Sequence, residues 1–417
     1  MPQKPGFFQK LSFYIFTFIV FWYIFSVIAN STEPYSDFSN AGAEFYGQGR
    51  DEKEPDKLKA VRIGLMGPEK IPEGKQLQNG VALAIEQANA RGGYNGIPYE
   101  IIFRPDDGPW GIAAKQVVRL TYDDEVWAIL GGLDGRRTHL AELISAKAWI
   151  PIVTPTASDL TIDYANVPWV FRCMPSDAQQ AQTLLDYARK RGYRNLIVLT
   201  EGQREAHTGF LRLKEIANRM RYQLGMHIEY NPHNPTAILP RIENTTIPSL
   251  RSSAGDAILI WGHPNTALPL LIALRESGIN APILAPAILA TPKIAEKAPT
   301  TGELIVAAPC DLSRFREHAA SSNESQEDDA LISTFIKQYQ NRTGTMPSPI
   351  ALFAYDATRI LIAAIERAGL NRAKIRDELS RICFDGLTGT IHFDSLGGNP
   401  AQPVLMTLQN GQWVRVF

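Results

Sequence analysis

From Val61 onward, short runs of β-branched and aliphatic residues alternate with longer stretches whose apolar side chains recur three and four positions apart. The runs 61–66, 100–103, 127–130 and 151–153 predict strands, and the stretches 75–91, 111–124 and 138–147 predict helices. Asn89-Ala90-Arg91-Gly92-Gly93 supplies a helix stop, because glycine enters the left-handed conformation after a helix without a Cβ penalty. The alternation resumes with a helix over 177–191, a strand over 196–199, a helix over 209–222, a strand over 257–261 and a helix over 265–277. This order predicts an α/β protein whose two parallel-sheet lobes are joined by short crossings. After residue 385 the chain changes to short strands separated by turn signals at Gly386, Gly389, Gly397-Gly398-Asn399 and Asn410-Gly411, and 321–329 reads as a polar acidic loop.

Upstream of this body the pattern is different. Lys4 and Lys10 precede an uncharged stretch, 11–29, rich in Phe, Tyr, Trp and Ile and ending on Ala29. Residues 1–29 therefore read as a signal peptide cleaved after Ala29, or as a retained membrane anchor, since the apolar stretch is nearly long enough to span a bilayer core of about 30 Å. Residues 30–59, poor in aliphatics, read as a flexible tether.

Composition narrows the function. The 417 residues are 45% hydrophobic and 20% charged, as in folded globular proteins. Lys and Arg number 42 against 43 acids, so no basic excess draws in a polyphosphate backbone and nucleic acid is not an expected partner. Cys173, Cys310 and Cys383 have neither zinc nor redox spacing, and Cys173 and Cys383 read as buried thiols rather than a bridge. The seven histidines are scattered, and no metalloprotease, nucleophile-elbow, P-loop or dinucleotide motif occurs, so neither an enzyme, a metal site nor a cofactor is expected. Asp106-Asp107 follows a strand, but adjacent residues there point in different directions and make a poor acid–base pair.

Several segments together carry a family likeness: VRIGLMGP, AIEQANARGGYNG, EIIFRPDD and WIPIVTPTASDLT, then VPWVFRCMPSD, LIVLTEGQREAHTG, AILIWGHPNTALPLLIALRESGI and FDGLTGTIHFDSLGGNP. In this order the chain resembles, over 60–417, the type I periplasmic solute-binding proteins of the branched-chain amino acid and amide transporter group, the leucine-binding-protein-like receptors. The resemblance implies two Rossmann-like lobes with three hinge crossings near Pro175, Pro309 and Ala401. Lobe one would comprise 60–176 plus 310–400 and lobe two 177–309 plus 401–417. It further implies a periplasmic receptor that closes on a small-molecule ligand and hands it to ABC transporter permease subunits, touching the membrane only through 11–29 if that segment is retained. A membrane-anchored ligand sensor with the same lobes is the alternative.

Open parallel sheets bind ligands beyond the carboxyl ends of their strands, where helix N-termini present unpaired N–H groups. The loops there are Gly131-Gly132-Leu133-Asp134-Gly135-Arg136-Arg137-Thr138 and Thr154-Pro155-Thr156-Ala157-Ser158. In the family's amino acid binders a serine run holds the ligand carboxylate. Here the matching run is Gly135-Arg136-Arg137-Thr138, while Thr156 and Ser158 keep hydroxyls. Arg136 and Arg137 either face the cleft, favouring an anionic ligand group, or solvate the helix start and pair with a nearby acid. The family aromatic that covers the ligand falls on His263, a second falls near His207, and the acid that pairs with the ligand ammonium falls on Ala287. Glu73, Glu201 or Glu205 would have to replace that acid, or the ligand has no ammonium there.

Overall fold

The structure is a computed structural model and describes residues 44–165, 167–242, 256–315 and 327–416. Its first sheet forms from β1 (Val61–Gly67), β2 (Tyr99–Pro105), β3 (Ile129–Gly131), β4 (Ile152–Thr154) and β5 (Val170–Arg172), all parallel, in the order β2-β1-β3-β4-β5. Between them run α1 (Pro72–Ala90), α2 (Ile112–Tyr122), α3 (Gly135–Ala148) and α4 (Leu160–Ala165). Helices cover both faces, so β1 is buried at six of its seven positions and reads as one apolar run rather than an alternation.

The chain then crosses into a second sheet. Here α5 (Asp177–Lys190), β6 (Asn195–Glu201), α6 (Arg204–Met220), β7 (Leu224–Tyr230), β8 (Asp256–Trp261), α7 (Pro264–Glu276), β9 (Ile283–Ala285), α8 (Pro292–Lys297) and β10 (Leu304–Ala308) follow in turn. After β10 the chain returns to the first lobe as α9 (Glu327–Thr343), α10 (Pro349–Ala368), α11 (Arg372–Arg381) and the hairpin β11 (Cys383–Gly386) and β12 (Gly389–His392). It crosses once more to end as β13 (Val404–Gln409) and β14 (Gln412–Arg415), completing the order β14-β13-β10-β9-β8-β6-β7 with β13 antiparallel to β10.

Each lobe has its own apolar core. In lobe one, α10 lies buried against α1, and the two backbones meet at Gly80, where a Cβ would come within 2.3 Å of the Ala351 carbonyl oxygen. The β11–β12 turn is held by buried Asp356, which accepts hydrogen bonds from the N–H groups of Leu387 (2.9 Å) and Thr388 (2.8 Å) and from the Thr388 hydroxyl (2.7 Å).

The crossings are bonded to one another at the start of α5. Ser176 and Gln179 form a capping box, and Gln179 Nε2 also donates to the carbonyls of Asn399 (3.0 Å) and Ala401 (2.6 Å) on the last crossing. Arg172 on the first crossing exchanges backbone hydrogen bonds with Gly397 (2.8 Å) and Asn399 (2.9 Å).

Three expectations need correction. The tether reading fails over 44–54: Phe45 is fully buried against Trp149 and Trp169, Arg50 pairs with Asp377, and Glu54 bonds Tyr94 and the Leu370 N–H. Cys383 is exposed at the start of β11, whereas Cys173 and Cys310 are buried thiols. Of the acidic stretch 321–329, the described part opens α9 instead of forming a loop. The signal or anchor segment 1–29 and residues 30–43 lie outside the described residues, and among the described helices none is long and apolar enough to cross a membrane.

Candidate functional site

The carboxyl ends of β1 to β4 and of β6, β8 and β9 face each other between the lobes, so the loops chosen from the sequence lie at the cleft. Asp134 caps α3, its side chain accepting from the Arg137 N–H at 2.9 Å. The hydroxyls stitch the two lobe-one loops together. Thr138 donates to the Asp134 carbonyl (2.8 Å), Thr154 to the Gly132 carbonyl (2.8 Å) and Thr156 to the Leu133 carbonyl (3.0 Å). Ser158 instead donates to Asp177 Oδ1 at 2.7 Å and accepts the Asp177 N–H through its carbonyl, so it ties lobe one to the first turn of lobe two.

The two arginines part company. Arg136 is exposed. Arg137 is partly buried, its guanidinium paired with Asp134 and its Nε 3.2 Å from Oδ1 of Asp106. Burial works against the Arg137 charge, and Asp134 and Asp106 more than offset it, so its pKa is raised. Asp106 is almost fully enclosed, and neither carboxylate oxygen accepts an aligned hydrogen bond. Its pKa is pushed up to about 7, by burial first and then by Asp134 and Asp107, against the pull of Arg137. The Arg137 charge is thus committed within lobe one.

On lobe two, His263 caps α7: its Nδ1 accepts from the Asn265 N–H (3.2 Å) and its own N–H donates to Glu201 Oε2 (2.6 Å). Its Nε2 lies 3.8 Å from Oε1 of Glu73 on α1 of the other lobe. His207 is exposed on α6. Ala287 is buried, with its N–H bonded to Gln180 Oε1 at 2.9 Å. Of the replacement acids, Glu201 is enclosed and also accepts from Gln203 Nε2 (3.0 Å). Glu205 has a raised pKa, from burial first and then, opposed by its own backbone N–H and Arg204, from the charges of Asp134 and Asp159.

Sequence reasoning missed the groups that join the lobes directly. Asp159, 5% exposed at its side chain, meets Arg204 at 2.7 Å, and Thr208 lies 3.4 Å from the same oxygen. Beyond it, Arg212 donates to the Tyr164 hydroxyl (3.1 Å) and stacks over that ring at 4.9 Å, while the hydroxyl donates to Glu215 (3.1 Å). Asp159 follows the hydroxyl loop and Arg204 precedes Glu205, so both were within one residue of positions already singled out. Among the described residues, no group of His, Cys, Asp and Glu side chains is placed to hold a metal ion.

Comparison with known proteins agrees with this geometry. The periplasmic binding protein family matches residues 61–411. The leucine-, isoleucine-, valine-, threonine- and alanine-binding protein of Pseudomonas aeruginosa is 24% identical over 343 residues, covering 81% of this chain and 86% of its own length. A branched-chain amino acid transporter substrate-binding protein from Streptococcus pneumoniae, solved with isoleucine, superposes with a TM-score of 0.69 at 21% identity over 85% of this chain and 98% of that one. A solute-binding protein of an ABC transporter from Rhodopseudomonas palustris, solved with 3,4-dihydroxybenzoic acid, gives 0.70 at 16% identity over 86% and 96%. These relatives are substrate-binding proteins, not enzymes. With two parallel-sheet lobes, first and last crossings bonded to each other and a cleft at the strands' carboxyl ends, the chain belongs to the periplasmic binding protein family and has the fold of its type I, branched-chain amino acid receptor branch.

Proposed function

We propose that this protein is a periplasmic receptor that captures a small solute, an amino acid, amide or carboxylate-like compound, and delivers it to ABC transporter permease subunits. The observation that carries the reading is the meeting of the two loop sets across the cleft, with Asp159 and Arg204 in contact. A ligand touching both walls favours the closed arrangement by its differential affinity for it. Solution scattering with and without a bound solute is expected to show a smaller radius of gyration in the complex. An unchanged radius at confirmed one-to-one binding would remove the receptor reading.

Gly135 and Ala287 stand where the resemblance places a carboxylate ligand and an ammonium ligand, so leucine is expected to bind weakly. One lost charge-assisted bond costs on the order of 2–3 kcal/mol, or roughly 30–150-fold in affinity. Submicromolar leucine binding by calorimetry would contradict this.

A second reading, an anchored sensor, draws on the uncharged apolar stretch 11–29, nearly long enough to span a bilayer core of about 30 Å. N-terminal sequencing of protein isolated from its native envelope separates the two: a mature end at Asn30 supports the mobile receptor, an intact Met1 the anchored one.

A further inference from the structure

We propose that α6 carries a closure latch: its stripe Arg204, Thr208, Arg212 and Glu215 holds the lobe-one segment 159–164, and these contacts supply part of the free energy that closes the cleft. The proposal rests on the solute-receptor reading and deepens it by assigning side chains that set affinity through closure rather than through choice of ligand.

The four positions are spaced four, four and three along the 17-residue helix, so they share one face and extend over about 16 Å at 1.5 Å per residue. Ala206, Gly209, Leu213, Ile216 and Ala217 are buried on the other side, toward lobe two's own sheet. The stripe itself faces the other lobe, and every member of it meets lobe one. Arg204 pairs with Asp159 at 2.7 Å and donates to the Thr161 hydroxyl at 3.2 Å, and Thr208 lies 3.4 Å from the same Asp159 oxygen. Further along the helix, Arg212 donates to the Tyr164 hydroxyl at 3.1 Å and lies over its ring at 4.9 Å, and that hydroxyl donates to Glu215 at 3.1 Å. Tyr164 is 64% exposed, so it lends little to the lobe-one core, while its ring and hydroxyl serve lobe two.

These contacts exist only while the lobes are together. Each therefore stabilises the closed arrangement relative to an open one, and the affinity for a solute that binds the closed form changes in proportion. The two ends of the stripe differ in kind. The Asp159 side chain is 5% exposed, which strengthens its attraction to Arg204 beyond that of a surface pair, and salt weakens that attraction. At the other end a cation–π contact adds to the hydrogen bonds of the Tyr164 hydroxyl.

The test reads closure through a separate contact across the cleft, Glu73 with His263, 3.8 Å apart and on other elements than the latch. The parent protein is the full chain with Glu73→Cys, His263→Cys and Cys383→Ser, the last removing the exposed native thiol. With no solute added, its rate of intramolecular cross-linking by a short bis-maleimide, normalised to its reaction with a monofunctional maleimide, follows the closed fraction even where that fraction is small. In this background Arg204→Gln is expected to slow cross-linking about fivefold or more at low salt, and Tyr164→Ala about threefold, with Tyr164→Phe in between because it keeps the ring. High salt is expected to slow the parent and to leave Arg204→Gln nearly unchanged. Asp159→Asn, nearly isosteric, stands in for Arg204→Gln should that variant not fold. The proposal is overturned if folded Tyr164→Ala or the folded Arg204–Asp159 variant cross-links at the parent rate, or if the parent does not cross-link at all. The receptor reading is judged separately, by compaction on solute binding, whereas these rates need no solute.

Discussion

Replacing Phe45 by alanine is expected to lower the stability of lobe one by about 3–5 kcal/mol, the usual cost of truncating a buried aromatic. The ring is fully enclosed, with its centroid 5.0 Å from that of Trp169 in an edge-on arrangement and 5.2 Å from that of Trp149. Both tryptophans belong to the amino ends of lobe-one strands: Trp149 follows α3 and leads into β4, and Trp169 immediately precedes β5. The backbone is fastened as well. The Phe45 N–H donates to Asp377 Oδ1 (3.2 Å), Arg50 donates to the Phe45 carbonyl (2.7 Å), and Asn371 Nδ2 reaches the carbonyls of Gly49 (2.8 Å), Arg50 (3.1 Å) and Glu52 (3.2 Å). Removing residues through Glu54 would therefore strip a buried ring and leave Asp377 and Asn371 short of partners, at a cost at least as large as the point change. Urea unfolding of the full chain, of Phe45→Ala and of the truncated form, followed by tryptophan fluorescence, measures this. A truncated protein within about 0.5 kcal/mol of the full chain, the spread of neutral surface changes, would restore the tether interpretation.

That strap shows which parts of the fold the sequence pattern discloses. Runs such as β6 and β8, where nearly every position is buried, announce themselves through hydropathy alone. The pattern did not single out β5 and β9, although the equally short β3 and β4 were predicted, and β7 is mixed in character because it lies at the sheet edge and buries only Ile228 and Tyr230. Residues 44–54 escape for another reason: one aromatic ring and a set of polar bonds to residues far along the chain hold them, and no local periodicity encodes such contacts. The candidate site divides the same way. The choice of loops follows from a general rule about strand ends, which is how Thr138, Thr156 and Ser158 were selected from the sequence. What occupies them depends on pairs distant in sequence, Arg137 with Asp106 and Asp159 with Arg204. For a guanidinium at a helix start, sequence leaves both anion recognition and pairing with a nearby acid open, and for Arg137 the acids that hold it, Asp134 and Asp106, decide for pairing.

A large pH effect is expected from Asp106. Its carboxyl titrates at about 7 in the folded protein against an ordinary value of 3.8, so between those values the folded state holds a proton that the unfolded chain releases. Stability contributed by this group is therefore greatest in acid and falls as pH rises toward 7, the reverse of an acid stabilised by a salt bridge. Three units at about 1.4 kcal/mol each make the full effect on the order of 4 kcal/mol, of which about 3 lies between pH 5 and pH 8. Burial, the dominant cause, outweighs Arg137 because that guanidinium is shared with Asp134 and meets Asp106 without an aligned hydrogen bond. Asp106→Asn keeps the size and removes the charge, so the variant is expected to exceed wild-type stability by about 1.5 kcal/mol near pH 5 and by about 4 kcal/mol near pH 8. The raised carboxyls of Glu205 and Asp356 titrate in both proteins and largely cancel in the difference. Urea midpoints taken at half-unit steps from pH 5 to pH 8 give the two curves. Parallel curves would mean that Asp106 is ionised throughout and that Arg137 overcomes its burial; curves that separate as pH rises would place its titration near neutrality.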